Sequence, residues 1–454
     1  MAATVIEHLE RLVPMTADDA ELSDAHLVVE DGRIAAVGTG PVAMDHPGAA
    51  HEDGRGLIAI PGLINTHHHF FQTLTRALPP AQNVRILDWM AANYPYWARI
   101  DEEAVLVTAE VAIAELMLSG CTTSSDHLYA FPRGCDPLAM LGAEVEAAAR
   151  LGIRIQVTRG AVDVSLEAGG SPPVELVEDT DSVLASMEAA ISRFHDPLPG
   201  AMVRVGLAPN SMTIASERLM RESMELAKAR GVTRHTHVAE VVEEEAYCLE
   251  RYGRRPLQRL ADLGWVDRDV WLAHVVHVND EEIEMLARSG AGVAHCPVSN
   301  MRLASGAAPV LDMLERGVDV GIGVDGSASN DSGNLLAEAR AAMLLSRLRE
   351  QTRLMTARQA LRIATVGGAQ TLKRDDIGTL EVGRQADVAF FRLSGVASAG
   401  FEHDPVAALV LGIVPQVDHL MVQGRFVVRD QHLVYADEQS LVARHRSVVS
   451  RIVR

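Results

Sequence analysis

Three consecutive histidines, His67, His68 and His69, close the apolar segment PGLINTHHH at positions 61–69. Side chains alternate between the two faces of a strand, so His67 and His69 share one face and His68 takes the other. Two imidazoles at this spacing can chelate a divalent transition metal. This segment alone leaves open that they are core or loop histidines.

Further potential ligands follow later apolar segments of the chain. His237 and Asp325 each stand where a short apolar run ends. A catalytic metal needs several protein ligands and one position open to water. His67, His69 and His237 would supply neutral nitrogen. Asp325 would supply an oxygen and could accept a proton from water activated by the ion.

Glu240 and His274 are candidates for proton transfer and charge stabilisation. Glu240 lies three residues after His237, close enough to carry protons near the metal. His274 could stabilise the oxygen that becomes negative during attack. The alternative for Glu240 is a surface carboxylate, because the segment EVVEEE that it opens is strongly acidic.

Alternating strand and helix patterns must position these residues. Eight short apolar strands are predicted, each followed by a helix or by a loop leading to one, as in a parallel sheet covered on both faces. Polar residues crowd at their carboxyl ends, which converge on one face of a (β/α)₈ barrel. A doubly wound sheet gives no reason for that crowding. The predicted strands are 61–69, 121–129, 154–160, 203–210, 232–240, 270–278, 291–300 and 318–326.

The two ends of the chain differ from this central region. Short alternating strands with Gly turns are predicted in 20–58 and 376–430. Neither end is large enough to form a good core alone. We therefore expect residues 1–58 and 376–454 to form the two halves of one β-sandwich, with a final helix, around a hydrolase barrel of residues 59–375.

The segments PGLINTHHH, HTHVAE, LAHVVH and GVDGSASND together resemble the amidohydrolase superfamily. The resemblance is to its branch of cytosine, guanine, S-adenosylhomocysteine and triazine deaminases, and it runs from about residue 25 to residue 430. It implies one zinc ion, sometimes iron, in a distorted barrel beside a β-sandwich. Carried over by motif, His67, His69, His237 and Asp325 bind the metal, Glu240 protonates a ring nitrogen and His274 orients the nucleophile.

The fourth predicted strand, VRVGLAPN, favours the single-metal members of this superfamily. Its other large class holds two metals bridged by a carboxylated lysine on that strand, and 203–210 contains no lysine. The chain is therefore expected to use one divalent ion, Zn²⁺ or alternatively Fe²⁺.

Finer motifs resemble the 8-oxoguanine deaminases. These are NTHHHFFQTLTRALP, WMAANYPYWARI, SGCTTSSDHLYAFP and HCPVSNMRLASG, whereas NDSGNLL and EHDP are shared with triazine hydrolases. Two features depart from the oxoguanine pattern, namely Asn210, where a cysteine is expected, and the loop 162–173.

Three residues are candidates for substrate binding. The amide of Gln72 could donate to and accept from an oxo-purine edge, or it could cap its own loop. Trp89, like Trp97, could cover the ring or pack in the core. Asn210 ends the fourth predicted strand.

We expect a hydrolytic deaminase of an amino-substituted nitrogen heterocycle, with 8-oxoguanine, converted to urate and ammonia, as the best candidate. A triazine or pterin amino- or halohydrolase is the alternative within enzymes. Glu240 and Asp325 favour deamination over dechlorination. A non-catalytic scaffold of the same fold would have lost ligands, and none is lost here.

Composition excludes several classes of partner. A formal net charge of −20 disfavours nucleic acid and anionic membranes. The four cysteines form no CxxC pair, and no 18-residue apolar run or signal peptide is visible, so a reducing cytoplasm is expected. The partner is expected to be a small heterocycle, and the chain is expected to form a homo-oligomer.

Overall fold

Eight parallel strands close into a barrel in this computed structural model, which describes residues 3–42, 48–412 and 416–453. In chain order the strands of the described residues are β1 (Thr4–Leu12), β2 (Leu22–Glu30), β3 (Arg33–Thr39), β4 (Ala50–Asp53), β5 (Leu57–Pro61), β6 (Leu63–Asn65), β7 (His68–His69), β8 (Cys121–Leu128), β9 (Arg154–Ala161), β10 (Val203–Pro209), β11 (Thr233–Val238), β12 (Val270–His274), β13 (Gly292–His295), β14 (Val320–Ile322), β15 (Asp325–Gly326), β16 (Val388–Arg392), β17 (His419–Val422), β18 (Arg425–Arg429) and β19 (His432–Leu433).

Helices connect most barrel strands. They are α1 (Ile86–Trp97), α2 (Glu102–Leu118), α3 (Pro137–Leu151), α4 (Thr180–Phe194), α5 (Glu217–Arg230), α6 (Val242–Tyr252), α7 (Pro256–Asp262), α8 (Asp280–Ser289), α9 (Pro297–Arg302), α10 (Val310–Glu315), α11 (Ser327–Asn330), α12 (Leu335–Glu350), α13 (Ala357–Ala364), α14 (Val366–Thr371), α15 (Pro405–Leu411) and α16 (Glu438–Ile452). Among the described residues, none of these helices is both long and apolar enough to cross a lipid bilayer.

The barrel runs in the order β6-β8-β9-β10-β11-β12-β13-β14 and closes between β14 and β6. A second sheet has the order β19-β18-β17-β16-β5-β1-β2-β3, with β4 paired to β1, so it combines strands from both ends of the chain. The predicted fold class was a (β/α)₈ barrel with a small β-sandwich built from both chain ends. The barrel is confirmed, and so is the joining of both chain ends, which takes the form of this one sheet. The domain boundaries stay predictions, and β5 extends across the one placed at 58/59.

Several barrel strands end earlier than the sequence pattern predicts, and a local cause is visible for two of them. The predicted strand 291–300 ends at His295, because Pro297 begins α9, and proline suits the first turn of a helix. The predicted strand 270–278 ends at His274, where φ becomes +72°. Both early endings lie at the carboxyl ends of strands, where polar residues crowd.

A buried ion pair joins the barrel to the second sheet. Arg154 on β9 and Asp387, which precedes β16, are almost fully buried, and Arg154 Nη2 lies 3.1 Å from Asp387 Oδ2. Arg154 Nη1 also donates to the carbonyl oxygens of Gly200 and Ala201, both at 2.7 Å. Asp387 Oδ1 accepts from the backbone N–H of Gln423 at 2.7 Å. The charges are therefore paired and hydrogen-bonded at the junction.

Replacing Asp387 with Ala should destabilise the protein strongly, because it leaves the guanidinium of Arg154 buried without its counter-ion. Breaking a buried pair in this way costs about 3–5 kcal/mol. The urea midpoint of unfolding measures the effect. Asp53→Ala is the control, since its pair with Arg55 is exposed and such pairs contribute about 0–1 kcal/mol. Equal shifts in the two variants would contradict the structural role of the junction.

Candidate active site

The carboxyl ends of four barrel strands and the short β7–β15 pair carry the predicted catalytic residues. β7 and β15 pair in parallel, with Asp325 opposite His68 and Gly326 opposite His69. This pairing brings the end of the first barrel strand to the end of the eighth. His237 lies on β11 and His274 ends β12, its register partner being Val238. Five of the six predicted metal-binding and proton-transfer residues are buried, namely His67, His69, Glu240, His274 and Asp325, and His237 is half-buried.

Four side chains bring potential ligand atoms together. Asp325 Oδ1 lies 3.2 Å from His67 Nε2 and 3.4 Å from His69 Nε2. The Nε2 atoms of His69 and His237 are 3.3 Å apart. That is about the separation of two nitrogens bound tetrahedrally at roughly 2.0–2.1 Å from zinc. These distances suit a divalent ion between the four side chains.

Two overlapping groups of ligand atoms, each within 4.8 Å of one another, occur among the described residues. His67 and His237 belong to both. One group adds His69 and His127, and the other adds His274 and Asp325. The predicted set of four therefore draws on both groups, joined by the contact between His69 and Asp325.

Hydrogen bonds fix the histidine tautomers so that Nε2 is free to bind a metal. His69 Nδ1 lies 2.7 Å from the carbonyl oxygen of His127, and His237 Nδ1 lies 2.8 Å from that of Asn210. A carbonyl oxygen only accepts, so each Nδ1 carries the proton and each Nε2 keeps its lone pair. Among the described residues, the buried His67 Nε2 has no hydrogen-bond partner. The donor set therefore fits a metal ion.

Burial and neighbouring charges set the protonation of these ligands. Burial lowers the pKa of His67, His69 and His237, which keeps their imidazoles neutral. Burial alone would raise the pKa of Asp325, but the neighbouring imidazoles of His67 and His274 hold it well below its usual range.

Asp325 is also oriented by two hydroxyls. Ser299 Oγ donates to Asp325 Oδ2 at 2.5 Å, and Ser329 Oγ donates to the same oxygen at 3.1 Å. Oδ1, the oxygen nearest to His67 and His69, is thus left to face a metal ion.

Glu240 and His274 form a second layer beside the ligands. His274 Nε2 lies 3.8 Å from Glu240 Oε2 and 3.9 Å from Asp325 Oδ2. Burial raises the pKa of Glu240, and the charge of Asp325 adds to this, against the influence of His274. Burial lowers the pKa of His274, but the charges of Glu240 and Asp325 outweigh it, so the pKa is raised. A carboxyl and an imidazole that both hold a proton more readily than usual suit acid–base chemistry.

Left-handed backbone conformations occur at three positions of the site. Ala239, His274 and Asp325 have φ of +52°, +72° and +61°. Such conformations cost non-glycine residues about 1–3 kcal/mol each and cluster at functional sites. At Asp325 the turn sends the side chain to the imidazoles just after β14 has ended.

A cavity of about 350 Å³ opens onto the ligands. His69, His237, Glu240, His274 and Asp325 contribute to its wall. A volume in this range fits a bicyclic heterocycle. Gly169, Gly170 and Ser171, from the loop 162–173, also line it.

The three predicted substrate-binding residues, Gln72, Trp89 and Asn210, all line this cavity. Gln72 Nε2 donates to the hydroxyl of Tyr129 at 3.4 Å, and among the described residues its buried Oε1 has no partner. The indole N–H of Trp89 donates to the Ala328 carbonyl at 3.0 Å. Trp97 is fully buried, does not line the cavity and packs against Trp89. Of the two alternatives for Trp97, packing in the core is therefore the one observed.

Sequence reasoning missed several supporting groups. His235 Nε2 lies 2.8 Å from His67 Nδ1, and the repeat H-T-H at 235–237 was an available signal. Glu244 accepts from the backbone N–H of Glu240 at 3.1 Å, and burial raises its pKa to about 8. In the sequence, Glu244 belongs to the acidic run 240–245, and that pattern predicts a surface residue. The carbonyl groups that orient His69 and His237 carry no sequence signal.

Comparisons with known proteins agree with this geometry. The model of the amidohydrolase family matches residues 58–427. The chain is 43% identical to the 8-oxoguanine deaminase of Pseudomonas aeruginosa, over 94% of each protein. It is 37% identical to hydroxydechloroatrazine ethylaminohydrolase of Pseudomonas sp. (strain ADP), over 100% of this chain and 96% of that one. The structure of atrazine chlorohydrolase from Arthrobacter aurescens TC1 complexed with zinc superimposes with a TM-score of 0.93 at 33% identity, covering 98% of this chain and 100% of that chain.

Purified protein reconstituted with zinc should contain close to one equivalent of metal by elemental analysis. His237→Ala should lower that content sharply, because it removes a nitrogen from the converging set. His432→Ala is the control, since this side chain is 79% exposed. Two equivalents, or none, in the parent protein would contradict a site for a single ion.

Proposed function

Because the chain belongs to the amidohydrolase family, we propose that it is a metal-dependent aminohydrolase that converts 8-oxoguanine to urate and ammonia. Its membership of this family and its deaminase relatives show that the chain is a hydrolase of carbon–nitrogen bonds. We propose, beyond this, the identity of the substrate ring, the identity of the metal and the role of each residue. Its main support is the position of Glu240 and His274 beside four converging ligand groups at the wall of one cavity.

His67, His69, His237 and Asp325 would hold one divalent ion, which we propose to be Zn²⁺, with Fe²⁺ as the alternative. When bound, such an ion supplies Lewis acidity that makes water nucleophilic at neutral pH. Asp325, whose pKa is low, can accept the proton that the attacking water releases.

Glu240 is proposed to protonate the substrate ring. As water adds to the ring carbon that bears the amine, Glu240 gives a proton to the adjacent ring nitrogen, so negative charge does not accumulate there. The carbon–nitrogen bond then breaks, and ammonia leaves with a proton relayed by Asp325 or Glu240. An oxo group remains on the ring, which balances one water consumed against one ammonia released.

His274 is proposed to orient the attacking water and to stabilise negative oxygen. Its Nδ1 lies 2.9 Å from Asn300 Oδ1. This amide oxygen can accept a hydrogen bond but cannot donate one, so Nδ1 carries the hydrogen. Its Nε2 faces Glu240 and Asp325, where a protonated imidazole donates toward the reacting oxygen.

The cavity wall supports a flat, nitrogen-rich ring as substrate. Trp89, Met90 and Tyr247 contribute apolar surface, and Gln72 and Asn210 contribute amides. The unpartnered Gln72 Oε1 is suited to accept from a ring N–H. The 43% identity to a deaminase of 8-oxoguanine supports that purine.

A second candidate is a triazine or pterin hydrolase that uses the same residues. It is favoured by the 37% identical ethylaminohydrolase, which aligns over the whole chain. A non-catalytic scaffold is not favoured, since every expected ligand and proton-transfer residue is present, and all of them except His67 line one cavity.

Among amino-substituted heterocycles, 8-oxoguanine should give the highest kcat/KM for ammonia release. The comparison set is guanine, isoxanthopterin, ammeline and hydroxyatrazine. Guanine lacks the second oxo group, and hydrogen-bonding atoms of the site left unpaired should lower its kcat/KM by about tenfold or more. A higher kcat/KM for isoxanthopterin or hydroxyatrazine would instead support the second candidate.

Replacing Glu240 with Gln should separate catalysis from metal binding. The amide keeps the size of the side chain but loses its titratable proton, so kcat should fall by about 10²- to 10⁴-fold. Metal content should stay at the parent level because no ligand is removed.

Glu250→Gln, an exposed change on α6, is the control and should leave both quantities unchanged. If Glu240→Gln loses its metal, Glu240 is a ligand or supports one. If it deaminates at the parent rate, another group transfers the proton.

A further inference from the structure

We propose that His235 is a positioning residue that holds His67 in the tautomer able to bind a metal ion. His235 is fully buried and lies two residues before His237 on β11. It does not line the described cavity, so it would not touch the substrate, and it belongs to neither group of potential ligand atoms among the described residues. This inference rests on the metal site proposed above.

The tautomer of His235 follows from its two hydrogen bonds. Its Nδ1 lies 2.8 Å from the carbonyl oxygen of Trp271, which can only accept, so Nδ1 carries the hydrogen. Its other hydrogen-bonded contact is with the imidazole of His67, and a neutral imidazole that donates through Nδ1 accepts through Nε2. Its Nε2 is therefore an acceptor.

The tautomer of His67 then follows from that of His235. His67 Nδ1 is 2.8 Å from His235 Nε2 and must donate to it. His67 Nε2 is left without hydrogen, 3.2 Å from Asp325 Oδ1 and in the converging ligand set. The partner of a metal-binding histidine sets its tautomer and ring orientation in this way.

Trp271 packs against the ring of His235 and holds it in place. The two rings stack, with centroids 4.5 Å apart and planes 15° from parallel. The indole N–H of Trp271 donates to the carbonyl of Thr66 at 3.0 Å, one residue before His67. These contacts therefore connect β11 and β12 to the segment after β6 that contains His67, and they hold the three against one another.

His67 differs from the other two predicted imidazole ligands in the group that orients it. His69 and His237 donate to main-chain carbonyls, which no side-chain substitution removes. His67 donates to a side chain instead. A neutral imidazole also supplies this acceptor without placing a negative charge in a fully buried position. His235 is therefore the orienting group that a substitution can test.

The test measures zinc affinity of metal-free, full-length protein by competition with a chromophoric chelator. His235→Leu removes the acceptor, and the zinc Kd should rise by about 10- to 100-fold. His235→Gln can present an oxygen near the position of Nε2 and should recover most of the affinity. His235→Asn is too short to reach His67 and should resemble the Leu variant. Co²⁺ absorption spectra should shift in the Leu and Asn variants, because His67 no longer binds in one orientation.

Trp265→Phe is the matched control. Trp265 is also fully buried, but its indole N–H donates to the carbonyl of Met220, outside the contacts that orient His67, so zinc affinity should stay within about threefold of the parent. Thermal unfolding of the metal-free proteins reports any general loss of structure. If His235→Leu does not fold, the comparison of the Gln and Asn variants decides.

Three results would overturn the proposal. They are a parent-like Kd for His235→Leu, equal affinities for the Gln and Asn variants, and a loss in Trp265→Phe as large as that in His235→Leu. A parent protein that binds no zinc would refute the proposed metal site itself, which separates the two failures.

Discussion

Closure of the barrel between its first and eighth strands is the constraint on which the site depends. β6 and β14 share one register pair, Asn65 with Ile322, and the chains then continue into the β7–β15 pair. His67 stands between β6 and β7, and Asp325 begins β15. The seam that completes the barrel therefore also brings its first histidines to its last carboxylate. An ion held there would bind residues 258 positions apart in sequence.

Close packing at this seam limits which residues it tolerates. Asn65, at the closing register pair, accepts from the N–H of Val324 and donates to Ser124. A Cβ on Gly326 would lie only 1.7 Å from Gln72 Oε1. Asn65 thus has partners for both its donor and its acceptor, as burial requires. The Nε2 atoms of His69 and His237 lie in a shared space, 3.3 Å apart.

The sequence allowed the architecture and the central residues to be predicted, for identifiable physical reasons. A strand alternates its faces, so H-x-H at 67–69 and an apolar run before it already indicate two side chains on one face. A parallel barrel gathers strand ends, so His237, His274 and Asp325 could be grouped without coordinates. Strand ends were less predictable, because left-handed turns at His274 and Asp325 and the helix start at Pro297 depend on tertiary packing.

The supporting groups could not be predicted to the same degree. Glu244 stands between Glu243, which is exposed, and Glu245, which is half-buried, yet its carboxylate accepts from the N–H of Glu240 just after the left-handed turn at Ala239. The carbonyl of Asn210 orients His237 whatever side chain that residue carries. The role of the Asn210 side chain, which replaces an expected cysteine, depends on the substrate bound in the cavity. Main-chain acceptors and long-range pairs leave no periodic trace in a sequence.

The ion pair between Arg154 and Asp387 imposes an order on biosynthesis. The two residues are separated by 233 positions, so Arg154 emerges from the ribosome long before its partner. Residues 57–61 of β5 pair with residues 388–392 of β16, so β5 also lacks its partner until that segment has been made. Until those segments exist, the nascent barrel carries an unpaired cation and an open strand edge, both of which favour non-native association. The junction and the second sheet can therefore be completed only after residues 387–392 have been made.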